Sequence, residues 1–216
     1  MAKRPVPPTA TEKEVRELLE RYRCPVPFHE VRTRFLGNVA TPVMSASPIK
    51  MVEGLWGGEL PDFGSINAAK ELIGALIMGL WNRLTRHQER STPFRLTRPD
   101  VDATREGLAT LALIRRQELD GFVEGLFGAE KAIDLPERAH RSLSVLGELR
   151  SLIAGVLDVA TNGNKVASGG DIEDTLRHMQ EMTRIAEHEM HAVVLACKRA
   201  RRDMLASLPA RKPTLH

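Results

Sequence analysis

The sequence predicts an all-α protein, a multi-helix bundle around a buried central helix at 65–87 with a long C-terminal helix. Three observations support this prediction. Apolar residues recur at three- and four-residue steps through most of the chain, which is the period of a helix. No stretch has the period-two alternation that is typical of a strand. Prolines and glycines fall mostly between the periodic segments, where helices begin and end.

The N-terminal part divides into short helices with recognisable starts. Thr11 opens a T-E-K-E capping box, with Glu14 at the third helical position. A second helix is expected from Pro27 to Pro42, because the proline-rich stretch before it is held extended. Ser47-Pro48 is a typical N-cap followed by proline at the first helical position, and it predicts a third helix.

The central helix is predicted from the apolar composition of 65–87. Leucine, isoleucine and tryptophan cover nearly its whole circumference, and a helix that is apolar all round is normally buried. Ser65 is its predicted N-cap. The following stretch QERSTPFRLTRPD is polar and is interrupted by Pro93 and Pro99, so it is predicted to be a loop.

Three helices are predicted in the C-terminal half. The first runs from Asp100 to Gly128, the second starts at Leu135-Pro136 and continues to about residue 160, and the third is capped by Asp171. The third contains a heptad seam, with small or flexible side chains at most positions. Its members are Ile172, Leu176, Met179, Thr183, Ala186, Met190, Val193, Cys197, Ala200 and Met204.

A helix of roughly 35 residues would be about 50 Å long, and it has two ways to bury its seam. It packs on its own domain, or it forms a homodimer through residues 172–204. Because the seam is poor in leucine and isoleucine, packing on its own domain is the favoured prediction. The expected organisation is a disordered lead-in at 1–10, a helical core domain at 11–160, a flexible link at 161–170, the long helix at 171–206 and a tail at 207–216.

Composition limits the class of protein. The chain has 216 residues and only two cysteines, Cys24 and Cys197, without metal-type spacing, so neither a disulfide framework nor a zinc motif is expected. No apolar run is long enough for a membrane span, and the N-terminus lacks a signal peptide. These features predict a cytoplasmic protein that does not insert into membranes.

Three stretches, RFLGNVATP, LWGGELPDF and LDGFVEGL, together resemble the YecA/YgfB-like family of uncharacterised bacterial proteins. The resemblance covers roughly residues 28–160, and the family's landmarks would correspond to Pro42, Asp62-Phe63, Asn82 and the Gly121–Gly125 segment. It departs from the family at Leu119, where an aromatic residue is common, and it lacks a cysteine-rich metal-binding tail. The resemblance implies an all-α bacterial protein and no particular activity.

The first candidate site is an arginine-rich stretch that includes the end of the central helix and the loop after it. Arginines can make bidentate contacts with phosphate or carboxylate, and an aromatic ring among them offers a surface for base stacking. The alternative is that the arginines near the helix end only balance the helix dipole. The predicted partner-binding residues are Arg83, Arg86, Arg90, Phe94, Arg95 and Arg98.

The second candidate is a metal site on the long helix. Glu187, His188 and His191 are spaced so that they can share one side of a helix, and carboxylate and imidazole are ligands of zinc, iron and manganese. The spacing differs from HExxH, and no other helix supplies a matching Glu-x-x-His pair. Solvated surface histidines are the competing interpretation.

No sequence motif of a nucleophilic or nucleotide-dependent enzyme occurs. The sequence therefore favours a non-enzymatic regulatory or adaptor protein without a cofactor, which binds a protein or nucleic acid through its arginine-rich surface. The alternatives are a metal-binding protein or metalloenzyme that uses the Glu/His cluster, and a structural subunit that dimerises through 172–204.

Overall fold

The computed structural model describes residues 10–43, 46–162 and 169–207, and every regular element within these ranges is a helix. The predicted all-α class and the long C-terminal helix are confirmed. The predictions for 1–9, 163–168 and 208–216 lie outside the described residues. The elements are α1 (Glu12–Arg21), α2 (Phe28–Ala40), α3 (Pro48–Gly54), α4 (Ile66–Ile73), a π-helical segment (Gly74–Trp81), α5 (Asn82–Leu84), a 3₁₀ turn (Thr85–Gln88), α6 (Arg105–Phe127), α7 (Glu137–Thr161) and α8 (Gly169–Ser207).

Three helices begin at the caps that the sequence predicts. The Thr11 hydroxyl accepts a hydrogen bond from the Glu14 N–H at 3.2 Å, and the Glu14 carboxylate accepts one from the Thr11 N–H at 2.6 Å. The hydroxyls of Ser47 and Ser65 each accept a hydrogen bond from the N–H three residues later. These bonds satisfy donors that have no partner inside the helix.

Two helix starts differ from the prediction. Helix α6 begins after Thr104, whose hydroxyl accepts a hydrogen bond from the Gly107 N–H at 3.1 Å, and not at Asp100. Helix α8 begins at Gly169, so that Asp171 lies in its first turn. In the first case, the cap is Thr104, whose backbone is extended and whose side chain binds the first turn, so the residues from Asp100 to Asp102 precede the helix.

The centre of the core is α2, which crosses α6 at close range. Ten of the 13 residues of α2 are buried. A Cβ atom added at Gly37, Gly121 or Gly125 would lie less than 3.0 Å from atoms of the opposite helix, so only glycine permits this approach. Gly121 and Gly125 belong to the G-F-V-E-G stretch, and their role in the fold is therefore close packing.

The segment 65–87 contributes one side to the core, whereas the prediction was of a helix buried all round. Leucines 72, 76, 80 and 84 are buried, whereas Ile66 is 72% exposed and Met78 is 56% exposed. Its middle is π-helical, and the buried leucines recur every four residues along one side. Apolar composition alone does not show which sides of a helix have neighbours. Within the described residues, no helix has the length and apolar character required to cross a bilayer.

Helix α8 packs along its own domain, as the sequence favours. It has 39 residues and is about 58 Å long at 1.5 Å per residue. It contacts α2, α6 and α7. The seam residues from Met179 to Cys197 are at most 5% exposed, while Met204 is 47% exposed. The central part of the seam is thus covered within one chain and is not available for the alternative dimer.

The segment 89–104, here called the strap, has no regular secondary structure and connects the 3₁₀ turn to α6. Phe94 and Leu96 are 1% and 2% exposed, so the strap inserts two side chains into the core. Its contacts with α8 begin at Lys198, which binds the Glu89 carboxylate, and extend to Glu187. The fold therefore places the predicted loop against the long helix, and this arrangement brings both candidate sites together.

Candidate functional site

The carboxylate of Glu187 holds the strap on α8. This side chain is only 2% exposed. Its Oε2 accepts a hydrogen bond from Arg95 Nη1 at 2.7 Å, and its Oε1 accepts hydrogen bonds from Arg98 Nη2 at 2.6 Å and from the Leu96 N–H at 2.9 Å. Two guanidinium groups thus share one carboxylate. The arginine side chains remain 65% and 56% exposed, respectively.

A second, fully buried ion pair fixes the middle of the strap. Arg115 and Glu118, one helical turn apart on α6, pair at 2% and 0% exposure. Glu118 Oε1 accepts a hydrogen bond from the Thr97 N–H at 2.8 Å, and Arg115 donates to the Thr97 carbonyl. Arg115 Nε also donates to the Thr183 hydroxyl of α8 at 2.9 Å. Burial lowers the pKa of Arg115, and the charge of Glu118 opposes that shift.

The prediction of a stacking role for Phe94 is wrong for this conformation, because the ring is buried. It meets His87 edge to face, with the ring centroids 5.2 Å apart. The ring also contacts Arg32, whose guanidinium carbon lies 4.9 Å from the Phe94 ring centroid. Phe94 is therefore an anchor of the strap, and its face is not open to a nucleic-acid base.

The other predicted arginines divide into one with a structural contact and two without. Arg83 Nη1 donates to the Ala10 carbonyl at 3.2 Å. Arg86 and Arg90 are exposed, and neither side chain has a hydrogen bond or ion pair within the described part of the chain. Arg86 and Arg90 are thus unpaired surface cations within the described residues, whereas Arg95 and Arg98 pair with Glu187.

The basic run near the end of α8 lies beside the strap. Lys198 Nζ donates to the Gln88 carbonyl at 3.1 Å and contacts Glu89 at 2.8 Å. Arg201 Nη2 donates to the Val39 carbonyl at 2.8 Å. These two cations satisfy carbonyl groups at the ends of the 3₁₀ turn and of α2, and they thereby attach α8 to both elements.

The predicted metal ligands do not converge. Glu187 is occupied by two arginines and a backbone N–H, while His188 is 73% exposed, with its Nε2 3.9 Å from Glu189. His191 lies one turn further along α8, partly buried. Within residues 10–43, 46–162 and 169–207, no group of three or more His, Cys, Asp or Glu side chains is arranged to hold a metal ion. The carboxylate that the prediction assigned to a metal instead anchors the strap.

Two histidines are enclosed between the strap and α8. His87 is 7% exposed, and its Nδ1–H donates to the Thr92 carbonyl at 2.8 Å. Both ring nitrogens of His191 are buried, and neither makes a hydrogen bond of normal geometry. Burial lowers the pKa of both rings. The backbone of Thr92 opposes that shift for His87 and the backbone of Arg90 opposes it for His191, whereas neighbouring charges lower the pKa further. These charges are Arg86, Arg32 and His191 for His87, and His188 for His191.

We expect stability to decrease in mild acid because of these histidines. Their folded-state pKa values lie below the ordinary value of 6.5, so the unfolded chain binds more protons between the two values. The free energy of unfolding should therefore fall as the pH drops below about 6.5. Urea unfolding monitored by tryptophan fluorescence from about pH 8 to about pH 5 measures this loss.

The substitution His191→Met is the matched variant for this measurement, since methionine fills a partly buried helical position without titrating. It should reduce the decrease between about pH 6.5 and about pH 5. An unchanged pH profile in this variant would show that His191 makes no contribution to the pH dependence.

The sequence analysis missed two features of this site. They are the buried ion pair of Arg115 with Glu118, and Arg32, which contacts the strap. Arg115 and Glu118 have i,i+3 spacing and interrupt the apolar face of α6, and this is a local signal of a buried ion pair. Arg32 had no such signal, because its contacts are with Phe94 and with the Arg95 carbonyl, more than 60 positions away.

Comparison with protein-family models, with curated proteins and with solved structures finds no match to this chain. The resemblance to the YecA/YgfB-like family therefore stays a prediction from its motifs.

Proposed function

We propose that this is a non-enzymatic binding protein that engages a polyanionic macromolecule through the basic strap surface, defined as Arg86, Arg90, Arg95 and Arg98. The observation that carries the proposal is the sharing of one carboxylate by two half-exposed guanidiniums. Glu187 neutralises only one of the two charges. An excess positive charge therefore stays on the outer side of the strap.

The two unpartnered arginines add to this excess. Arg86 lies on the surface in the 3₁₀ turn before the strap, and Arg90 lies on the surface at the start of the strap. The nearest acidic side chain in sequence, Glu89, contacts Lys198. A surface with clustered unpaired guanidiniums attracts phosphates or carboxylates, and salt weakens this attraction. Arginine also stays charged at all physiological pH values, which suits anion binding better than proton transfer.

The buried contacts make the surface rigid. Thr97 is held by Glu118 and Arg115, Leu96 by Glu187, and Phe94 by the core. The guanidiniums of Arg95 and Arg98, which bind Glu187, are consequently positioned before a partner arrives. Preorganisation of this kind reduces the entropy that binding must overcome.

The test is direct titration with two labelled polyanions, a single-stranded RNA oligonucleotide and polyglutamate, at several salt concentrations. The double variant Arg86→Glu/Arg90→Glu leaves the Glu187 contacts intact. It should weaken binding at least about tenfold at low salt and reduce the slope of log K against log salt by about two. The polyanion with the tighter binding identifies the partner as nucleic acid or as acidic protein.

The matched control is Arg141→Glu/Arg177→Glu, which changes net charge equally at exposed positions outside the strap. This control should bind as the unmodified protein does. If both double variants weakened polyanion binding equally, the loss would depend only on net charge, and a binding site on the strap would be rejected. Absence of salt-dependent binding to either polyanion would reject the proposed function altogether.

A further inference from the structure

A groove of about 530 Å³ lies between α6 and α7, beside the connection from Phe127 to Leu135. It is separate from the strap surface. Its walls are mainly apolar, and several of the side chains in them are only partly buried. The principal apolar wall residues are Leu119, Val123, Phe127, Ile133, Leu143 and Leu146.

The polar side chains around this groove are cationic or neutral. Lys131, His140 and Arg150 line it, and within the described part of the chain no acidic side chain does. Arg150 Nη2 contacts Asp120 Oδ2 at 3.2 Å. Lys131 and His140 are exposed and have no hydrogen-bond or ion-pair partner among the described residues. One end of a ligand in this groove would therefore face an ammonium group that makes no ion pair within the described residues.

We propose that the groove binds a free single-chain amphiphile, a medium-chain carboxylate, with its alkyl chain along the apolar walls and its carboxylate near Lys131. A volume of about 530 Å³ is in the range of small-molecule sites, which are mostly apolar with few polar groups. The charge of the lining selects an anionic head group. The finite volume favours one chain over a two-chain membrane lipid.

Gly147 provides a way to fill the groove without disturbing the core. It lies in the groove wall on α7, and a Cβ atom added there meets nothing within 4 Å. Gly155 on the same helix is equally open and does not line the groove. Since leucine is a better helix former than glycine, both Gly147→Leu and Gly155→Leu are expected to fold.

The experiment is calorimetric titration of the full chain with octanoate, decanoate and dodecanoate below micelle formation. Affinity should rise about fourfold for each added methylene as the chain is buried. Gly147→Leu should weaken decanoate binding at least about tenfold, and Gly155→Leu should leave it unchanged. Lys131→Glu should weaken decanoate binding about three- to fivefold and leave binding of decanol unchanged.

Three outcomes would overturn the proposal. They are no saturable binding of decanoate, equal binding by the Gly147→Leu variant, and equal affinity for decanoate and decyltrimethylammonium. Binding to anionic phospholipid vesicles that Gly147→Leu abolishes, without binding of free decanoate, would replace the free carboxylate with a membrane lipid. None of these outcomes bears on the strap surface, because the titrations with polyanions and with alkyl carboxylates use different residues.

Discussion

The substitution Gly125→Ala is expected to lower the free energy of unfolding by about 3 kcal/mol or more. A methyl group at this position would overlap the carbonyl of Arg34 on α2, less than 3.0 Å away. That neighbour is backbone in the middle of a helix, so it cannot rotate away as a side chain can. The two helices would have to separate, and the most buried helix of the fold would lose contacts along its length.

The matched control is Gly155→Ala, at which the new methyl group meets nothing within 4 Å. Helix propensity alone should make this variant more stable by about 1 kcal/mol. Urea or thermal unfolding of both variants therefore gives effects of opposite sign. If Gly125→Ala were as stable as the unmodified protein, the close crossing of α2 and α6 would be incorrect.

The starts of three short helices could be predicted because capping is local. Thr11, Ser47 and Ser65 bond to groups three residues away, and the sequence displays both partners together. The seam of α8 was predictable for a similar reason, since its period repeats along one helix.

The centre of the core was not predictable from apolar composition. Helix α2 buries Glu30, Thr33 and Asn38, which look like surface residues in the sequence. Each has a partner that makes burial possible: Arg34 for Glu30, the Glu30 carbonyl for Thr33, and the Trp81 indole N–H for Asn38. These polar residues make the sequence of α2 look less apolar than that of other helices, although α2 is the most buried helix of the described chain.

The composition of the arginine-rich site could be predicted, and its geometry could not. The residues were recognised as a cluster because they are close in sequence. Their division into anchors and free cations depends on Glu187, about 90 positions away, which the sequence grouped with metal ligands instead. A carboxylate between histidines on a helix has the same local pattern whether it binds a metal or an arginine from another element.

Replacement of Arg115 by leucine should cost about 3–5 kcal/mol, because it leaves Glu118 charged at 0% exposure with a backbone N–H as its remaining donor. The double variant Arg115→Leu/Glu118→Gln removes both charges while glutamine can still accept from Thr97, so it should recover at least about half of the loss. Urea unfolding of Arg115→Leu, of Glu118→Gln and of the double variant measures the coupling free energy between the two side chains.

The exposed pair between Arg150 and Asp120 supplies the comparison, since Arg150→Leu should lower the free energy of unfolding by less than about 1 kcal/mol.

The buried pair also has a consequence that a surface pair does not share. Without Arg115, the Thr97 N–H should exchange with solvent at least about tenfold faster, because the strap loses one of its two attachments at Thr97 and the fold around it is destabilised. The affinity for polyanions should also fall in this variant, since Arg95 and Arg98 would be held less firmly. A destabilised variant whose Thr97 N–H exchanges at the original rate would instead mean that α6 and α8 hold the strap without this pair.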